Sequence, residues 1–374
     1  MRHSKTVFLK FNEALNKLGK KKLTEGLSAV VRTKRELWVA NDESTSIERL
    51  TLLDDTGDTY VYGAHEQFEI SRYIQLPLPS KDEKGKIEEI DIEGLDFEDG
   101  YLWLVGSHSR KRKKPDEADQ PGEKFKQLST VGSKGNRYLL ARIPLLENEG
   151  GYIPVIKTPC NSKTAARLPG TDEGNELTNI LAEDLHLKGF LQVPSKDNGL
   201  DIEGLAVGQN GRIFIGLRGP VLRGYAVILE LCLETNIDNP FELKMMPINF
   251  NGTDHGTYRK YILDLRGLGV RELSIDGPDM LILAGPTMFL DGPVTIFRWK
   301  NNGKDEKECF VSRDKLEEVM QIPYGNGVDH AEGMTRFTKD DGKATSLLLV
   351  YDAASLDLQK DRHTLKAAIF ELGH

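Results

Sequence analysis

Asp91-Ile92-Glu93-Gly94-Leu95 returns whole 110 residues later as Asp201-Ile202-Glu203-Gly204-Leu205, and this recurrence decides how the chain is read. Glu332-Gly333-Met334 and Glu25-Gly26-Leu27 repeat the Glu-Gly-aliphatic core, while Arg271-Glu272-Leu273 reads as a copy without its glycine. A polar turn and an apolar run follow each copy, in the runs 36–40, 101–106, 212–216, 280–285 and 346–351. These runs are five or six residues long, rich in aliphatic and aromatic side chains, and mostly bounded by Gly, Asn or Asp. That pattern favours buried strands over helices.

Successive copies of the glutamate are 68, 110, 69 and 60 residues apart. This exceeds a solenoid repeat and suits a four-stranded propeller blade of about 40–50 residues carrying ordinary loops. The reading is an all-β fold: one β-propeller domain over residues 1–374 with five visible blades. A sixth has room in the 110-residue gap, between Ile143 and Leu200. Residues 6–11 and 366–372 read as strands without local partners, so their pairing closes the ring and removes its edges. Residues 12–22 read as a short basic helix and Phe68–Leu76 as the last strand of the first blade. The blade after Glu93 takes residues 135–143 as its third strand. Insertions fall at about 107–134, with the basic run Arg110–Lys114, and at 146–198. The second holds a helix over 175–187 capped from Thr171-Asp172-Glu173.

Formal charge is −8 with a pI near 5.6, which argues against general nucleic-acid binding. Cys160, Cys232 and Cys309 are odd in number and lack metal-type spacing, as expected of a reducing compartment. No stretch reads as a signal peptide or a membrane span, so the expectation is a cytoplasmic protein without a membrane role.

In a propeller the start of each inner strand rings one channel mouth, so a repeated side chain is brought to one radius. The repeat thus nominates Glu25, Glu93, Glu203, Glu272 and Glu332 as a carboxylate ring. Several carboxylates across a narrow channel cannot all stay ionised without cations. Calcium or magnesium would relieve them through an oxygen-rich shell, and so would arginines such as Arg218, Arg223 and Arg271. Equally, each glutamate could hydrogen-bond backbone N–H groups of the next blade. A second ring, at the ends of the second strands, differs from blade to blade and includes Asn41, Asp42, Ser107, His108, Arg218, Pro286, Thr287 and Asp352. Loops on a rigid scaffold often carry function. His108 and His330 are the histidines near these repeat positions and are candidate general bases. No nucleophile elbow, Walker loop, Rossmann fingerprint or His-Glu-x-x-His motif is present.

The combination 92–95, 102–109, 202–205, 216–224 and 332–334, with its Leu217-Arg218-Gly219-Pro220 stretch, resembles a bacterial β-propeller domain-of-unknown-function family (3616). The resemblance implies the fold over nearly the whole chain and no settled activity. More remotely, Glu-Gly at a blade start is similar to gluconolactonase-like and phytase-like esterase propellers. In the gluconolactonase-like group that glutamate is a metal ligand, which implies the same of Glu25, Glu93, Glu203 and Glu332. Two functions are expected from these readings. One is a divalent-metal-dependent hydrolase of an ester, lactone or phosphoester, with His108 or His330 moving a proton and Arg218 or Arg223 holding an anionic group. The other is a non-enzymatic propeller that docks a peptide, protein or nucleotide on its channel face, so a small anionic molecule or a protein is the expected partner.

Overall fold

The protein is described from a computed structural model covering residues 3–372, apart from 19–20, 81–84, 161–162, 251–252, 255, 289, 303–308 and 339–343. Five blades of antiparallel strands form a β-propeller. Blade I comprises Leu27–Arg32, Glu36–Asn41, Ser46–Asp55 and Thr59–Glu69. Blade II comprises Ile92–Glu98, Tyr101–Gly106, Leu140–Asn148 and Gly151–Pro154. Blade III runs through Asp201–Val207, Arg212–Leu222, Tyr225–Thr235 and Tyr258–Leu263. Blade IV holds Gly269–Asp276, Asp279–Gly285, Val294–Trp299 and Leu316–Ile322. Blade V holds His330–Thr338, Ala344–Asp352 and Thr364–Glu371. Each blade's first strand touches that of the next, and blade V touches blade I, so five blades close the ring.

Closure uses the N-terminal strand His3–Lys10 as the fourth strand of blade V. It pairs antiparallel with Thr364–Glu371, Val7 opposite Ala367. It also pairs in parallel with the outer strand of blade I, Leu9 opposite Tyr62, which fuses blades V and I into one nine-stranded sheet.

Second strands are apolar throughout because both of their faces are covered. Successive side chains of a strand point to opposite faces. Trp38 thus packs toward blade II with Leu102 and Leu104, whereas Leu37 and Val39 pack toward blade V with Leu348 and Val350. The alternation carries on round the ring. Trp103 and Val105 meet Ile213 and Ile215, Phe214 meets Ile282, and Leu281 and Leu283 meet Leu347 and Leu349. Five apolar clusters therefore fill five blade interfaces.

The Glu-Gly repeat has a local cause. In blades II, III and V the register slips at the glutamate: Ile92 lies opposite Gly106 but Gly94 opposite Val105, and Ile202–Gly204 and Ala331–Gly333 behave alike. Each glutamate is therefore the extra residue of a β-bulge, a device that re-aims a side chain. The glycine after it faces the next blade. A Cβ on Gly94 would lie 2.6 Å from Leu205 Cβ, and one on Gly333 would lie 3.0 Å from the Ala29 backbone.

Several expected elements differ. The last strand of blade I is Thr59–Glu69, because the Asp55–Thr59 turn, with Gly57 at φ 84°, reverses the chain at once. Residues 135–138 form a 3-10 turn ahead of the third strand of blade II. Asn12–Asn16 forms isolated turns rather than a helix, and residues 19–20 lie outside the described set. Instead of a sixth blade, the described residues of 155–200 hold short hairpins, 3-10 turns and the helix Glu176–Leu181 (α1). Asn175 caps that helix: its side chain accepts from Thr178 N at 3.1 Å while Thr178 Oγ1 accepts from Asn175 N at 2.9 Å. Leu177, Leu181 and Leu187 wedge into the interface of blades II and III, and Leu185 is exposed.

Candidate functional site

The bulges define which side chains share one mouth. Their register identifies the equivalent residues as Ser28, Glu93, Glu203, Arg271 and Glu332. Glu25 and Glu272 are thus out of register with the ring. Glu25 belongs to a 3-10 turn before the blade, is exposed, and sits 3.8 Å from Lys22. Glu272 occupies the place of the glycine, is buried, and accepts from Leu205 N at 3.1 Å and Leu273 N at 2.9 Å. It is the one glutamate of the five that realises the backbone-capping alternative. Burial holds its carboxyl well above the usual range, against those two N–H groups.

Arg271 stands where a fourth glutamate was expected. Its Nη1 donates to Glu332 Oε1 at 2.6 Å and lies 3.2 Å from Glu203 Oε2, and Nη2 donates to Pro286 O at 3.1 Å. Glu203 Oε1 also accepts from Arg218 Nη1 at 2.8 Å, and the same nitrogen lies 3.3 Å from Asp201 Oδ2. Arg218 is itself bulged out of its strand, opposite the Asp201–Ile202 step, so two facing bulges bring this pair together. Glu203 Oε2 is buried and accepts no hydrogen bond of good geometry.

The carboxyls of this mouth fall into two protonation classes. Burial opposes ionisation of Glu203, but the Arg271 and Arg218 guanidiniums outweigh it and hold the group below its ordinary range. Burial raises Glu332 up to about 8; Arg271 resists this, while Asp352 and Glu203 reinforce it. One guanidinium thus serves two carboxyls, which titrate as a set. Glu93 is held well above the usual range by burial and by Asp91, Glu203, Glu332 and Asp42. Asp42, at the end of the second strand of blade I, is raised to about 7 by burial, Asp91 and Asp352. Asp42 and Asp352 meet over Gly26, where a Cβ would lie 2.8 Å from one carboxyl and 3.6 Å from the other.

A basic rim closes one side. The run Arg110–Arg112 pairs with Val131–Ser133 and carries the helix Pro121–Ser129 (α2). Lys111 lies 3.1 Å from Glu89 and 3.9 Å from Asp91. Arg137, buried and unsuspected from the sequence, bridges Glu89 at 2.8 Å and Asp91 at 2.9 Å. Burial alone would raise Glu89, but Lys111, Lys134 and Arg137 bring it down to about 2.

The remaining nominated residues stand elsewhere. His108 is buried, with Nδ1 2.7 Å from Gly106 O and Nε2 2.7 Å from the Asn175 amide, so both ring nitrogens are taken. Burial lowers it to about 4, and it stays neutral and structural. Arg223 is exposed at the tip of the Leu222–Tyr225 hairpin, where φ is 51°. His330 does share the register of Asp91 and Asp201, and its Nε2 lies 3.0 Å from Asp291 Oδ1.

The donor set does not fit calcium or magnesium. Among the described residues no three His, Cys, Asp or Glu side chains are grouped to hold a metal ion. Glu203 and Glu332 instead engage arginines: Glu203 meets Arg218 and Arg271, and Glu332 shares Arg271.

The family described as "Protein of unknown function (DUF3616)" matches residues 26–368. No curated protein matches. Among solved structures, the chain is similar to an exo-1,5-α-L-arabinanase from a bovine ruminal metagenomic library, at 10% identity and a TM-score of 0.39. The alignment covers 94% of this chain and 95% of that one. It is also similar to a putative oxidoreductase (glucose dehydrogenase) from Thermus thermophilus, at 10% identity, a TM-score of 0.35, and coverage of 92% and 97%.

Proposed function

The chain belongs to the DUF3616 family, and within it we propose that the mouth built by Glu93, Glu203, Arg271 and Glu332 hydrolyses an ester or lactone by carboxyl acid–base chemistry. A single observation carries this reading: one mouth brings together Glu203, kept ionised by Arg271, Glu332 beside it, kept protonated, and Asp42 poised near neutrality, with Asp352 acting on both of the last two. Environments that push neighbouring carboxyls apart in pKa are how one site obtains both an acid and a base. Glu332 donates a proton to the leaving oxygen. Asp42, near 7, takes the proton of the attacking water, where a base matched to neutral pH is most effective. A phosphoester is disfavoured by the excess of carboxylates. No step passes through a metal ion.

Purified protein should be assayed against model esters, lactones and phosphoesters, with and without added calcium or magnesium and with chelator. Hydrolysis is expected to survive the chelator and to fall about 10²–10⁴-fold in Glu332→Gln, the usual worth of a positioned acid. The rate should drop below pH 7 as Asp42 is protonated and above pH 8 as Glu332 ionises. Ligand capture without turnover on every substrate would favour the non-enzymatic docking function instead.

A further inference from the structure

Charge at the carboxylate mouth does not cancel. Arg218, Arg271, Arg137, Lys111 and Lys134 each stand within 3.3 Å of a carboxylate oxygen there. Between them they engage Asp201, Glu203, Glu332, Glu89 and Asp91, so five cations are committed to five carboxyls. Asp42, Glu93 and Asp352 are left over, one each from blades I, II and V. Their carboxyls make no hydrogen bond or ion pair among the described residues. Lys21 faces Asp42 and Asp352 but is held by Glu43 at 2.5 Å. All three carboxyls are half-buried, within reach of a ligand in the mouth. Asp42 and Asp352 meet over Gly26, and two residues further on Ser28 donates to Ile92 O, next to Glu93. A fourth acceptor is also short of a donor. Glu203 is 2% exposed and shares the bulge register of Glu93, yet its Oε2 accepts no hydrogen bond even with Arg271 3.2 Å away.

The spread of these carboxyls narrows the ligand. Calcium and magnesium draw their oxygens to within about 2.0–2.6 Å of one point, and no three acids among the described residues are grouped that closely. An organic cation distributes its N–H donors over several ångströms, and ionised carboxyls are pure acceptors for them. We infer that the ester or lactone cleaved at this mouth carries an ammonium or guanidinium group, received by Glu93 and Asp352 beside Asp42. The inference rests on the hydrolytic reading of the mouth for the rest of the substrate. Titration supports it. Burial, Asp91, Asp352 and Glu43 hold Asp42 near 7 against the pull of Lys111. Burial, Asp91, Glu203, Glu332 and Asp42 hold Glu93 well above the usual range. An opposite charge nearby favours the ionised form, so the arriving cation displaces these protons and leaves Asp42 as the carboxylate that takes a proton from water.

The test is calorimetric titration of the full chain with benzylammonium, benzyl alcohol and benzoate, followed by kinetics on two esters. Benzylammonium should bind at least about tenfold more tightly than benzyl alcohol, as a charged hydrogen bond warrants, and benzoate should not bind. Its affinity should rise from pH 6 to pH 8, and at pH 7 its binding heat should differ between phosphate and Tris buffers because protons are released. Asp352→Asn and Glu93→Gln should each weaken it about tenfold, while Glu25→Ala binds as wild type does. The phenyl ester of β-alanine should be cleaved with a kcat/KM at least about tenfold above that of phenyl butyrate, its neutral counterpart of the same length. If benzylammonium binds but neither ester is cleaved, the hydrolytic reading falls and the cation site stands. If both esters are cleaved equally well, the hydrolytic reading stands and the cationic substrate is overturned. It is overturned too if benzylammonium binds no more tightly than benzyl alcohol, or if Asp352→Asn and Glu93→Gln both keep wild-type affinity.

Discussion

Blades III and IV present the same backbone bulge with opposite charge. In blade III the bulge carries Glu203 and is followed by Gly204, which fits against Leu273 and Val270 of blade IV. In blade IV it carries Arg271 and is followed by Glu272, which turns into the protein and caps two backbone N–H groups. Reversing one charge in the ring changes its whole balance. Two like charges about 4 Å apart repel by about 4 kcal/mol at an effective dielectric constant of about 20. A ring of four or five glutamates would need a bound cation, whereas a ring of three with an arginine among them supplies its own.

Removing that arginine is expected to have the largest effect. Arg271→Ala leaves Glu203 and Glu332 buried with less counter-charge. Breaking a buried pair from one side typically costs about 3–5 kcal/mol. Chemical denaturation at pH 7 should show this loss. The double variant with Glu203→Gln should recover part of it, because the carboxylate that Arg271 kept ionised is then gone. If Arg271→Ala unfolds like wild type, the arginine is not what balances the ring.

A smaller effect separates the two protonation classes. Asp42, near 7, and Glu332, near 8, keep protons in the folded state that the unfolded chain releases near pH 4. The native state therefore binds more protons between about pH 4 and 8, and stability should fall as pH rises through that window. Glu89, held near 2, works the other way: its contribution is present above about pH 4 and lost as pH falls toward 2. Thermal unfolding followed from pH 4 to pH 8 should show the decline, and Asp42→Asn should flatten it below pH 7. An Asp42→Asn protein that declines as steeply as wild type would mean that Asp42 is ionised throughout.

The blades and their closure were legible because burial on both faces leaves a plain mark, the five apolar second strands. The mouth was half legible. Glu93, Glu203 and Glu332 sit in copies that retain the glycine, and that glycine records the close approach of the next blade. Arg271 was legible as a counter-charge to the ring but not as a member of it, since alignment on the letter Glu placed Glu272 there. Arg137 left no trace in the repeat because it comes from the turn before a third strand, and only the fold brings it to Asp91. His108 misled for a related reason. A histidine after a strand looks catalytic until the distant Asn175 is seen to take its second nitrogen.

The smallest expected effect decides whether register or residue type defines the ring. By residue type Glu25 is the blade I member; by register it is Ser28, which is buried and donates from Oγ to Ile92 O at 2.6 Å. Glu25 is exposed, and its contact with Lys22 is a surface ion pair, a class whose median worth is about 0–1 kcal/mol. Glu25→Ala should therefore shift stability by no more than about 0.5 kcal/mol, as exposed substitutions usually do, and leave hydrolysis untouched. Ser28→Ala should cost about 1 kcal/mol, because the Ile92 carbonyl loses a buried partner. Denaturation of both variants beside Glu93→Gln gives the ranking. If Glu25→Ala proves the more damaging of the two, the bulge does not set the membership of the ring, and the equivalence of Glu203 with Arg271 fails with it.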